Sequence, residues 1–194
     1  MPIALTDVTG EPDGALWGSD GMILYAAHSL TLYRVPEGGG TPTAIPIRIA
    51  PGDSAAKAHA VRLARWPALL PDGEHALVTL GSGSWGEIVA VTLATGETRP
   101  ILLGLKARYL PTGHLIFDER EGRIRVVPFD LERLVVTGGP IPAFEAFRGA
   151  GGGAAQYAVS QNGTLVYVAG GFSRELSWAD GELVAKATRA RLRG

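Results

Sequence analysis

Four times along this chain, an alanine, one variable residue and a tryptophan or tyrosine are followed by a turn ending in glycine and then by an apolar run. The copies are "ALWGSDGMILYA" from Ala15, "ARWPALLPDGEHALVTL" from Ala64, "ARYLPTGHLIFDE" from Ala107 and "AQYAVSQNGTLVYVA" from Ala155. Their turn glycines, Gly21, Gly73, Gly113 and Gly163, lie 52, 40 and 50 residues apart. That is the period of one four-stranded propeller blade rather than of a helical repeat.

Inside each copy the strand logic is the same. Asp20-Gly21, Asp72-Gly73 and Asn162-Gly163 are hairpin dipeptides, because Gly tolerates positive φ and Asp or Asn satisfies local backbone groups. The runs "MILYA", "ALVTL", "HLIFD" and "TLVYVA" follow them, short and rich in branched and aromatic residues. Third strands are expected in "LTLYRVP", "EIVAVTL", "RIRVVPF" and "RELSWAD", and fourth strands in "TAIPIRI", "TRPILL" and "GPIPAF". The expectation is an all-β chain, a β-propeller of about four blades over residues 14–50, 62–103, 105–145 and 154–184. Helical periodicity is confined to Ser54–Trp66 and the tail after Asp180.

Composition narrows the partners. A net charge of −1 offers no basic field for nucleic acid or an anionic membrane. With no cysteine, neither a disulfide framework nor a thiolate metal site is available. The N-terminal "MPIALTDVTGEPDG" lacks the basic and apolar regions of a signal peptide, and no run approaches the ~20 apolar residues of a membrane helix. The chain as given reads as cytoplasmic, with an extracytoplasmic setting open to a longer anchored parent.

Gly81, Gly83 and Gly86 stand at the G-x-G-x-x-G spacing of a dinucleotide fingerprint. That motif requires a helix after the glycines to meet the pyrophosphate, and here the strand-like "EIVAVTL" follows. The stretch is therefore expected to be a hairpin. His28, His59, His75 and His114 have no metal-ligand spacing and read as surface or turn residues. Asp118, Glu119 and Glu121, set among Arg120 and Arg123, read as a solvated charged turn. No Gly-x-Ser-x-Gly elbow occurs, the sequon at Asn162 reads as a turn, and the basic tail from Lys186 reads as a frayed terminus. No catalytic residue, cofactor or metal is expected.

The order of these copies, with "VVPFDLERLVVTGGPIP" between the third and fourth, resembles the TolB-like, WD-type β-propellers found C-terminal to bacterial serine/threonine kinase domains. The resemblance covers residues 14–181 and implies a non-catalytic interaction or sensor module within a larger regulatory protein. Members would carry about six blades, so four imply a closed small ring, an open arc paired with a second copy, or a fragment of a larger ring. The segment Pro2–Val8 reads as the outer strand of a preceding blade, which favours edge pairing between copies and a homo-oligomer.

Two function classes follow. In the first, a protein or peptide meets the loops near the channel, where Leu16, Arg65, Arg108 and Gln156 would cluster beside Trp17, Trp66, Tyr109 and Tyr157. The competing reading makes those aromatics blade-to-blade core. The second class is a calcium-dependent propeller hydrolase or lactonase, which would need convergent Glu, Asn and Asp ligands on the channel.

Overall fold

The computed structural model of the protein describes residues 4–8, 10–49, 63–83, 85–120, 122–145, 154–160, 164–168 and 176–179. The helical expectation over Ser54–Trp66 lies outside them as far as residue 62 and is overturned at Leu63–Trp66, which are β-strand; the tail after Asp180 and the Asn162-Gly163 turn also lie outside them. Sixteen strands and no helix occur among the described residues.

The first sheet runs β1 (Ala15–Trp17), β2 (Met22–Ala26), β3 (Thr31–Pro36) and β4 (Thr43–Pro46), in that spatial order. The second repeats it with β5 (Leu63–Leu69), β6 (His75–Ser82), β7 (Trp85–Thr92) and β8 (Thr98–Leu103). The third holds β9 (Leu105–Leu110), β10 (His114–Arg120) and β11 (Arg123–Asp130), with β12 (Val135–Val136) and β13 (Ile141–Glu145) both pairing β11. The fourth holds β14 (Tyr157–Val159), β15 (Leu165–Val168) and β16 (Leu176–Ala179). The pairs β1–β2, β5–β6, β6–β7 and β10–β11 are antiparallel, and Gly21, Gly73 and Gly113 carry φ of 72°, 70° and 76°. Those angles are the physical reason the turn glycine recurs.

The chain divides into two compact units between Ala107 and Arg108. In the first, Leu24, Ala26, Leu32 and Ile45 of one sheet meet Ala64, Ala76, Val78, Leu80, Val89 and Val91 of the next. Burying each branched side chain contributes roughly 1.5–3 kcal/mol. In the second unit, Leu110, Ile116, Ile124 and Val126 meet Ala155, Tyr157 and Tyr167. Strand alternation explains these sets, since residues two apart share a face.

The glycine fingerprint is a hairpin. Gly81 pairs with Gly86 and Ser82 with Trp85 across β6 and β7, and a side chain at Gly81 would place its Cβ against the Trp85 carbonyl oxygen. These glycines permit close backbone approach, and the β-strand after them presents no free N–H cluster to a phosphate.

Residues 4–8 form no strand; the Leu5 carbonyl accepts the Gly40 N–H at 3.1 Å, beside the turn between β3 and β4. This corrects the strand reading for the described part of Pro2–Val8. Among the described residues the Leu5–Gly40 hydrogen bond stands where a ladder was expected.

Candidate functional site

The geometry that stands out in the first unit begins with a register shift. Arg65 pairs with Thr79, and pairing resumes only at Ala68 with Leu77, so Trp66 and Pro67 form a bulge in β5. Trp66 has φ of 51° and its N–H donates to the Asp13 carbonyl at 2.7 Å. Gly14 lies against it: a Cβ there would sit 3.1 Å from the Trp66 Cα. Neighbours in a regular strand project to opposite faces, but the left-handed bulge residue breaks the alternation. The Arg65 guanidinium carbon therefore lies 3.9 Å from the centre of the Trp66 ring.

Arg65 reaches two more groups. Its Nη1 donates to the Gly83 carbonyl at 2.9 Å, and its Nε is 3.6 Å from Asp13 Oδ1. The other carboxylate oxygen, Asp13 Oδ2, is 3.1 Å from His28 Nδ1. A carboxylate accepts, so Nδ1 is the nitrogen carrying the proton. The side chains of Arg65 and Asp13 are 13% and 17% exposed while that of His28 is 51% exposed, so the imidazole is the member that reaches solvent. His28 too has a left-handed backbone, φ 45°. Removed from bulk water, the Asp13–Arg65 attraction is screened less than a surface pair.

The other residues expected at the site each have surroundings of their own within their unit. Leu16 packs against the core between the first two sheets. Trp17 is 64% exposed, which removes it from the blade-to-blade core, and its Nε1 donates to Glu37 Oε2 at 2.9 Å. Tyr109 meets Phe129 edge-on at 6.3 Å. Gln156 is exposed, with Nε2 donating to the Ala154 carbonyl at 3.3 Å. Tyr157 is buried against Phe144, and burial pushes its phenol up, with Arg108 opposing. Burial lowers the guanidinium of half-buried Arg108, with Tyr157 opposing.

Register sets the height of each tripeptide in its own sheet. Trp17 pairs with Ile23, just past its turn glycine, Tyr157 with Tyr167, and Arg65 with Thr79, midway along β6. The Ala-x-aromatic tripeptides thus stand at different heights in their sheets, because the gap from Trp66 to Gly73 is three residues longer than that from Trp17 to Gly21.

A second repeated device is buried. Thr79 and Asp118 are each the fourth residue after the histidine that opens its strand. Thr79 Oγ1 accepts the Lys106 N–H at 3.0 Å, and Asp118 Oδ2 accepts the Ala155 N–H at 2.8 Å. Each thereby holds the backbone where the next Ala-x-aromatic begins. Asp118 is 0% exposed, which corrects its reading as part of a solvated turn: β10 runs on to Arg120 and turns Asp118 inward. Glu119 is no partner in a carboxylate pair, since Arg125 Nε donates to its Oε2 at 2.9 Å.

His75 and His114 open β6 and β10 just after their turns, their Nδ1 atoms 2.9 Å from Asp72 Oδ2 and the Thr112 carbonyl. Among the described residues there is no group of three or more His, Asp or Glu placed to hold a metal ion, and no helix long and apolar enough to cross a membrane. The Asp13–His28 link had no sequence signal beyond a polar residue beside Gly14.

Neither family models nor curated proteins match this sequence. Solved structures do. The chain is similar to Kuenenia stuttgartiensis hydrazine synthase (16% identity, TM-score 0.59, 91% of this chain and 47% of that one). It is similar to luciferin-regenerating enzyme (11% identity, TM-score 0.61, 94% of this chain and 64% of that one). It is similar to TolB from Acinetobacter baumannii (22% identity, TM-score 0.55, 87% of this chain and 41% of that one). The fold is that of a β-propeller, and the chain spans between 41% and 64% of the length of these three structures.

Proposed function

We propose that the chain is a non-catalytic protein- or peptide-binding propeller module, a sensor part of a larger regulatory protein of the kinase-associated sort that its sequence resembles. It uses no cofactor or metal. The observation that carries this reading is the group Arg65, Trp66 and Asp13, a charged and aromatic cluster, reaching solvent through His28, that is fixed by packing and hydrogen bonds rather than left to rotate. Recognition surfaces gain from such rigidity, because less side-chain freedom is lost on binding. Arg and Trp are also the residue types that most often dominate binding energy. Trp17, exposed in the same unit, is a secondary contributor.

The test is a peptide array followed by fluorescence polarisation with the intact chain. A binder whose affinity falls at least about tenfold in Arg65→Met supports the reading. A calcium-dependent rise in melting temperature, with hydrolysis of lactones, would overturn it in favour of the hydrolase class.

A further inference from the structure

His28 combines three features that do not otherwise coincide among the described histidines. Its backbone is left-handed, φ 45°, a conformation glycine or asparagine adopts more cheaply. The flanking loop holds it there: the Ser29 carbonyl accepts the Ala64 N–H and the Leu30 carbonyl accepts the Ile47 N–H, each at 2.9 Å. Strain of this kind persists only where the surroundings over-determine it, and it concentrates at functional positions.

The second feature is orientation. Nδ1 is turned inward to Asp13 at 3.1 Å, and Asp13 is itself fixed, its N–H donating to the Ala26 carbonyl at 2.9 Å and its Oδ1 facing Arg65. A carboxylate behind one ring nitrogen fixes the tautomer and leaves the other nitrogen as an acceptor. The third is access, since half of the side chain is open to solvent. His75 also has a carboxylate behind Nδ1, but its side chain is 20% exposed and Asp72 is occupied with its own turn, accepting the Glu74 and His75 N–H groups. His114 has a neutral carbonyl there instead.

We infer that His28 is a recognition residue of this site, an imidazole held by Asp13 so that Nε2 accepts a hydrogen bond from a hydroxyl or ammonium group of the bound partner. This rests on the peptide-binding reading. Asp13 is its positioning residue, and Arg65, held on Trp66, keeps Asp13 in place.

Diethyl pyrocarbonate tests the orientation directly on the full chain, without any partner. Nε2 attacks a carbonyl carbon, the bond to the ethyl carbonate leaving group breaks, and the Nδ1 proton is released through Asp13; mass spectrometry locates the adduct. The expected result is labelling of His28 about tenfold faster than His75 and His114, with Asp13→Ala reducing the His28 rate to theirs and leaving theirs unchanged. Asp13→Asn, which keeps the shape and removes the charge, gives an intermediate rate. Equal rates for the three histidines, or a His28 rate indifferent to both Asp13 variants, overturn the inference. A peptide that binds without protecting His28 also overturns it and leaves the binding reading intact. If no peptide binds, the binding reading fails and so does the partner assigned to His28, whatever the labelling shows.

Discussion

Arg65 lies with its guanidinium 3.9 Å over the indole of Trp66, the next residue in the same strand. Only the bulge at Trp66 and Pro67 lets adjacent side chains share a face. The contact therefore couples a backbone irregularity to a cation–π pair. Arg65→Met, which keeps length and removes charge, is expected to cost about 1–2 kcal/mol in urea unfolding, and Trp66→Leu a similar amount. The double variant should show a coupling of about 0.5–1 kcal/mol. Full additivity would mean that the stack contributes nothing.

That contact marks where sequence reasoning stops. The turn glycines announce themselves because positive φ is costly for other residues, and Gly21, Gly73 and Gly113 all have it. The hairpin at Gly81 and Gly86 was legible because a strand pattern follows where a nucleotide site needs a helix. Register was not legible, since three extra residues after Trp66 shift its height without altering the apolar pattern. Asp118 looked like one more charge near a tip, and its burial depends on how far β10 runs before it turns. Asp13 and His28 are brought together across 15 positions by loop geometry, with no spacing rule to reveal them.

Two glycine substitutions separate conformational strain from steric conflict. Gly73→Ala meets no atom within 4 Å and has φ of 70°, so its cost is the left-handed penalty, about 1–2 kcal/mol. Gly96→Ala has φ of 75° and would drive its Cβ into the Pro46 carbonyl oxygen, a backbone atom that cannot swing aside. It is expected to cost at least about 2 kcal/mol more than Gly73→Ala and to break the bridge between Arg48 and Glu97. Equal losses in chemical unfolding would contradict the close approach.

Asp118 gives a prediction in the second unit. Asp118→Ala leaves the buried Ala155 N–H without this acceptor and should cost about 2–3 kcal/mol, whereas Asp118→Asn keeps a side-chain oxygen there and should cost less. Hydrogen exchange across Tyr157–Val159 reads the local effect. Unchanged protection in Asp118→Ala would show that the bond holds nothing.

Acid stability depends on Asp72. Burial disfavours its ionised form, but hydrogen bonds from the His75 side chain and from the His75 and Glu74 N–H groups outweigh that and hold the carboxyl below its ordinary value of 3.8. A carboxyl with a depressed folded pKa contributes stability that is complete above the unfolded value and lost as pH falls through the folded one. Asp72→Asn should therefore melt lower than the parent at neutral pH. The gap should close as pH falls from about 5 to about 2. A gap that stays constant across that range would remove the carboxylate as the cause.

His28→Gly turns the strain argument into a measurement. At φ 45°, histidine pays a backbone penalty that glycine does not, on the order of 1 kcal/mol. Against this stand the entropy that glycine adds to the unfolded chain and the lost hydrogen bond to Asp13, each up to about 1 kcal/mol. Since Asp13 keeps Arg65 as a partner, these terms nearly cancel, and the melting temperature should stay within a few degrees of the parent. His28→Val is the informative contrast, because a β-branched residue tolerates the left-handed region worst and should melt well below both. If glycine preserves stability while abolishing peptide binding, the imidazole is kept for recognition. If glycine unfolds the loop and lowers the melting temperature as far as valine does, the Asp13 hydrogen bond is structural and His28 has no need of a partner.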